Sequence, residues 1–114
     1  MQLAFQVLVL VHLIGFAALL GGVLAQSRDV DPEINVPMLY GAVVELVSGV
    51  ALWVLAGSGP EPVNVAQSIV KTLVTVFVTV VVVLNRKYAS IPRGLAVLIG
   101  GLTVLNAALA VFWQ

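Results

Sequence analysis

Cysteine is absent from the 114-residue chain, charge is scarce and histidine occurs once. Without cysteine there is no disulfide, no thiolate chemistry, no iron–sulfur cluster and no structural zinc site of the cysteine type. Only 9% of the residues are charged, against about 25% in an ordinary soluble domain. Lys+Arg and Asp+Glu balance at 5 each and form no basic tract, so nothing in the chain addresses nucleic acid. There is no nucleophile–base pair, no phosphate-binding loop and no doublet of metal ligands, which removes the usual soluble-enzyme centres. Met1 and Met38 are the only methionines, so a Met-rich copper motif is missing too.

What is present is apolar. Hydrophobic residues make up 61% of the chain and the mean hydropathy is +1.17. A soluble domain this short leaves a large share of its surface in water and could not hide so much apolar side chain. A bilayer removes the difficulty by acting as the apolar solvent. Its core, about 30 Å thick, needs roughly 20 residues of helix. The ten charges leave room for that length four times. They cluster at Arg28, Asp29, Asp31 and Glu33 and again at Arg86, Lys87 and Arg93, with Glu45, Glu61 and Lys71 standing alone.

The pattern predicts an all-α, four-transmembrane-helix up-down bundle in a single membrane domain, 1–114, with helices at about 3–25, 37–56, 68–84 and 94–113. No Lys or Arg precedes the first apolar run, which exceeds the ~7–15 residues of a signal core, so it reads as a retained helix. Pro37 suits the first turn of the second helix, where a missing N–H costs nothing. The breaker stretch Gly57-Ser58-Gly59-Pro60-Glu61-Pro62 ends that helix. The third is rich in Val and Thr, a strand-like composition in water. In lipid an open strand would leave its backbone unpaired, so helix is expected, and a β-barrel is excluded because the segments are long and do not alternate.

Lys and Arg flank the spans unevenly. Arg28, Arg86, Lys87 and Arg93 lie on the side of the first and third connectors, and Lys71 alone lies near the other side. The positive-inside rule then puts connectors 26–36 and 85–93 in the cytoplasm and both termini outside the cell membrane. Trp53 and Trp113 near the outer ends, with Tyr40 and Tyr88 near the inner face, fit an aromatic belt. Gly41, Glu45 and Ser48 recur at the offsets of Ala96, Gly100 and Thr103, a match that a parallel internal repeat or coincidence explains equally.

Polar side chains at bilayer depth are functional candidates by default. By helix rise, His12 lies roughly 13 Å below the outer end of its helix, Glu45 roughly 18 Å and Asn106 roughly 10 Å. An ionised Glu45 would be costly in hydrocarbon, so it should be protonated or bonded to His12. Thr75 and Thr79 continue a stripe below Lys71 at spacings of four. His12, Glu45, Asn106 and Thr75 can therefore meet in one interior cluster open toward the outer face. Beside this stands a plainer account. The same groups can be interhelical hydrogen-bond glue, at about 0.6–2 kcal/mol each. Lys71 can snorkel from the first turn of its helix, and the threonines can bond their own backbone. Small residues (Gly15, Ala18, Gly22 and Ala25 on span one; Gly41, Ser48, Gly49 and Ala56 on span two; Gly100 and Gly101 on span four) mark faces for close helix approach. His12 shares the first of these faces and should point into a helix contact.

Val11-His12-Leu13-Ile14-Gly15 with Leu20-Gly21-Gly22 resembles the first helix of the copper-resistance protein D-like superfamily of small integral membrane proteins. Val70-Lys71-Thr72-Leu73-Val74, running on to Leu84-Asn85-Arg86, resembles the third-helix pattern of the same group, which distantly includes membrane-bound protoporphyrinogen oxidases. The resemblance implies cofactor binding at His12 and Lys71, with His12 as axial ligand to a haem b or a metal ion and Lys71 as partner to a propionate or an anionic substrate. One histidine gives one axial ligand, so a bis-histidine site requires a homo-oligomer or a further subunit. Two other functions stay open. One is a structural or accessory subunit of a larger membrane complex. The other is a proton- or ion-linked small transporter using Glu45 and His12.

Overall fold

A computed structural model describes residues 2–57 and 65–113. Four helices follow in order: α1 Gln2–Leu24, α2 Val36–Gly57, α3 Val65–Asn85 and α4 Arg93–Phe112. Each is long and apolar enough to cross a membrane. Together they form the expected up-down bundle, 49 × 23 × 21 Å in extent. The bounds fall within a residue or so of those read from hydropathy, except that α3 starts three residues early, at Val65. Stretch 58–64, where the breaker residues should turn the chain, lies outside the described residues.

Between 17% and 28% of each helix's most apolar window is buried inside the chain, so most of these side chains must be covered by lipid or by another protein. Leu3, Leu10, Val47, Leu73, Val97 and Val104 are among those facing outward. The bundle is held by backbone proximity rather than by large interlocking side chains. α1 and α2 run antiparallel with Leu19 facing Gly41, Gly15 facing Glu45 and His12 facing Ser48. A Cβ on Gly41 would fall 2.5 Å from the Leu19 nitrogen and 2.7 Å from the Gly15 oxygen. One on Gly15 would fall 2.9 Å from the Glu45 nitrogen. Only glycine permits that approach. The small-residue face of α1 thus packs through Gly15 and Gly22, while Ala25 is exposed. On α4, Gly100 lies against Val23, but Gly101 meets nothing, because one residue of helix turns it by about 100° to the outer surface.

The two ends of the bundle differ. At the connector end, Leu19, Met38, Ala42, Val78, Val82, Ala96 and Ile99 pack with Ile34 and Ile91 from the connectors into one apolar core. Asn35 caps α2 by accepting from the Met38 N–H at 3.0 Å, and its Nδ2 donates to the Gly22 carbonyl at 3.0 Å. The connectors are tied to each other. Ile91 N–H donates to the Pro32 carbonyl at 2.7 Å, and Arg93 Nη2 donates to the Ser27 carbonyl at 2.9 Å. At the opposite end, near the termini, polar residues join large apolar ones such as Phe5, Leu52 and Trp53 around an open cavity. Gly41, Glu45 and Ser48 of α2 and Ala96, Gly100 and Thr103 of α4 are all buried, so the matched offsets mark the interior face of both helices.

Candidate functional site

The cavity at the terminal end measures about 350 Å³ and draws its walls from all four helices. His12 comes from α1, Glu45 and Trp53 from α2, Lys71 and Thr75 from α3, and Asn106 from α4. All the polar residues singled out by depth therefore reach one space. Glu45 and Asn106 form its floor: they also line the small void of about 10 Å³ that leads down to Leu19, Val78 and Thr79 in the packed half.

Side-chain pairing fixes the roles of the polar atoms. Ser48 Oγ gives its one proton to the Val44 carbonyl at 2.6 Å, the back-bond typical of serine inside a helix. With its proton on that carbonyl the serine oxygen accepts from His12 Nδ1, 2.9 Å away, in the Nδ1-protonated tautomer that this arrangement favours. The neutral imidazole keeps Nε2 as an acceptor. Gly49 makes room for the ring, since a Cβ there would lie 3.2 Å from His12 Cε1. The same logic holds on α3 and α4. Thr75 Oγ1 donates to the Lys71 carbonyl at 2.8 Å and accepts from Asn106 Nδ2 at 2.7 Å. That orients the Asn106 amide and leaves its Oδ1 turned away from Thr75.

Among the described residues, two buried side-chain oxygens have no partner, Glu45 Oε2 and Asn106 Oδ1. Their residues are 5% and 7% exposed. The expected bond between the Glu45 side chain and His12 is not made. The antiparallel register sets His12 opposite Ser48, and Glu45 lies three residues, about 4.5 Å of rise, farther along α2. The plainer account of the polar residues is accurate for His12 and for the Asn106 amide nitrogen, both of which bond between helices. It is accurate for the threonines as well, with Thr79 and Thr103 each donating to the carbonyl four residues back at 2.8 Å. It does not cover the two orphaned oxygens.

Lys71 departs from its expected place. Because α3 begins at Val65, Lys71 sits in the second turn, roughly 9 Å along the helix by its rise, and lines the cavity rather than capping the helix end. It is the only cationic side chain among the described lining residues, and Glu45 the only acidic one. Ser48 was legible only as a small residue, although its position one turn from Glu45 placed it on the interior face. Gln67 was not singled out at all. Its amide ties α3 to the end of α4 by donating to the Leu109 carbonyl at 3.0 Å and to that of Trp113.

Among the described residues no three His, Cys, Asp or Glu side chains come together to hold a metal ion. A haem would find one imidazole, His12, in a cavity that mixes apolar side chains such as Phe5, Leu46 and Trp53 with the carboxyl and amide of Glu45 and Asn106. What the arrangement offers is hydrogen-bond acceptors at depth, an ammonium above them and an opening at one end. No family model matches the chain, no curated protein matches it and no solved structure matches it, so the site is read from its own residues.

Proposed function

We propose that the chain is a multi-pass protein of the cell membrane that binds a small polar solute in this cavity and couples its movement to a proton or ion at Glu45. The observation that carries the reading is the pair of orphaned acceptors on the cavity floor. Buried polar atoms are nearly always paired, and each unpaired one costs about 1–3 kcal/mol. Two of them beside an open cavity are acceptors that a bound solute can satisfy. A carboxyl at bilayer depth is also the group that proton relays employ. The bundle is packed at one end and open at the other, the asymmetry of a carrier resting in one of its two access states. With Arg28, Arg86, Lys87 and Arg93 at the packed end, that end lies in the cytoplasm and the cavity faces outward.

The alternatives account for less. An accessory subunit needs the polar cluster only to set helix register. The Gly15–Gly41 contact and the His12–Ser48 bond already do that, and Glu45 Oε2 is left unexplained. A haem b or metal ion at His12 uses one side chain of the cluster and leaves the floor without a role.

The test is solute-driven proton movement in liposomes holding the purified protein and a trapped pH dye. A panel of small polar solutes is applied as gradients. The expected result is a pH change that depends on the solute and disappears in Glu45→Gln. Flux that persists in a Glu45→Gln/His12→Ala double variant would overturn the reading.

A further inference from the structure

We infer that the solute is a small zwitterion, carrying a primary ammonium and a carboxylate, bound ammonium-down at Glu45 and Asn106 with its carboxylate toward Lys71. The inference rests on the proposed solute site and names its chemistry.

The floor decides one end of the ligand. Both orphaned atoms, Glu45 Oε2 and Asn106 Oδ1, are oxygens whose residues are more than nine-tenths buried. The Asn106 amide is oriented with Nδ2 toward Thr75 Oγ1, whose own hydroxyl donates to the Lys71 carbonyl, and this leaves Oδ1 as the unpaired atom. His12, held with its proton on the Ser48 side, adds acceptor capacity on the α1 wall. A carboxylate, phosphate or halide brought to this floor would meet like partial charge. An ammonium brings three N–H donors.

Lys71 decides the other end. It lies one helical turn, about 5.4 Å, from Thr75, whose hydroxyl positions Asn106. Lys71 and the floor thus face one cavity, so a single ligand can present an anionic group to one and a cationic group to the other. Charge balance favours the same class. The cavity holds one acidic and one cationic side chain, and a ligand neutral overall brings no net charge to bilayer depth. A simple amine or a simple carboxylate would arrive with a charge unmatched at one end, which is costly in low dielectric. The volume of about 350 Å³ lies within the ~300–1,000 Å³ range of small-molecule sites and admits such a ligand together with water.

The experiment is calorimetric titration of the full chain in lipid nanodiscs with glycine, β-alanine, glycine betaine, ethylamine and acetate. Glycine or β-alanine should bind. Glycine betaine has the same charges but no N–H, and should bind at least about tenfold more weakly. Lys71→Gln should lower zwitterion affinity to that of ethylamine while leaving ethylamine unchanged, a selectivity that misfolding does not produce. Asn106→Leu should weaken both by about tenfold, with unfolding temperature recorded to confirm the bundle. Betaine binding as tightly as glycine, or acetate binding more tightly than either, overturns the zwitterion assignment and leaves a solute site of other chemistry. If none of the five binds, the assignment also falls, and the liposome assay decides the transport reading separately.

Discussion

His12 Nδ1 and Ser48 Oγ lie 2.9 Å apart across the α1–α2 contact, and the direction of the bond is set by a third group, the Val44 carbonyl that takes the serine proton. One main-chain oxygen thereby determines which imidazole nitrogen faces the rest of the site as an acceptor. Ser48→Ala should remove that control. Nitrogen-15 spectra of the single histidine should show the Nδ1-protonated form in the parent protein and a mixture in the variant. The stability loss should be about 1 kcal/mol, the usual size of one interhelical hydrogen bond. An unchanged tautomer would contradict the assignment.

The glycines divide sharply. Gly41→Ala puts a methyl group into the backbone of α1 at Leu19 and Gly15, where nothing flexible can yield. A loss of about 1–3 kcal/mol, the ordinary cost of overpacking, is expected in thermal unfolding in detergent. Gly21→Ala and Gly101→Ala meet no atom within 4 Å. Both should be neutral or should stabilise by up to about 1 kcal/mol through helix propensity. Equal effects at all three positions would show that the α1–α2 contact is not the close one described.

Asn106→Leu should separate stability from binding. The substitution removes one good hydrogen bond, to Thr75, and one buried orphan acceptor. The orphan costs about 1–3 kcal/mol and the bond contributes less than about 2, so the unfolding temperature should hold or rise. Solute binding should fall at the same time. A variant both less stable and fully active would mark Asn106 as a packing residue.

Arg93 joins the two connectors through its bond to the Ser27 carbonyl. Arg93→Ala should speed amide exchange in residues 26–34 and leave α1 and α2 protected, because the Asn35 cap and the glycine contact are untouched. Exchange rising across the whole of α2 would show that the connector tie supports the bundle as a unit.

Orientation can be read directly because the chain has no cysteine to remove. Ser90→Cys, in the exposed connector after α3, should react with an impermeant thiol reagent only from the cytoplasmic side. Ala66→Cys, exposed at the start of α3, should react only from outside. The reverse pattern would invert the topology and turn the cavity toward the cytoplasm.

The number of helices, their approximate ends and their antiparallel order were legible in the sequence. Hydropathy over about 20 residues answers to a one-dimensional quantity, the thickness of the bilayer core, and the charged connectors and Pro37 mark where each crossing stops. The gathering of His12, Glu45, Asn106 and Thr75 was legible too, since polar groups at similar depth on neighbouring helices have nowhere else to turn. Their pairing was not. Depth puts Glu45 about 5 Å below His12 and leaves it either protonated or bonded to the imidazole, and the close fit of Gly15 and Gly41 sets Ser48, not the Glu45 side chain, opposite His12. The start of α3 at Val65 is not legible, because Val65 and Gln67 carry no cap signal that hydropathy can read, and the earlier start carries Lys71 into the second turn and onto the cavity wall.

The sequence by itself determined four stretches long and apolar enough to cross a membrane, because the cost of placing apolar side chains in water adds up residue by residue and needs no knowledge of contacts. Only the tertiary structure decided which oxygens end without a donor and where the open volume lies. Those depend on helix register and rotation, in which one residue turns a side chain by about 100° and exchanges a partner for a cavity.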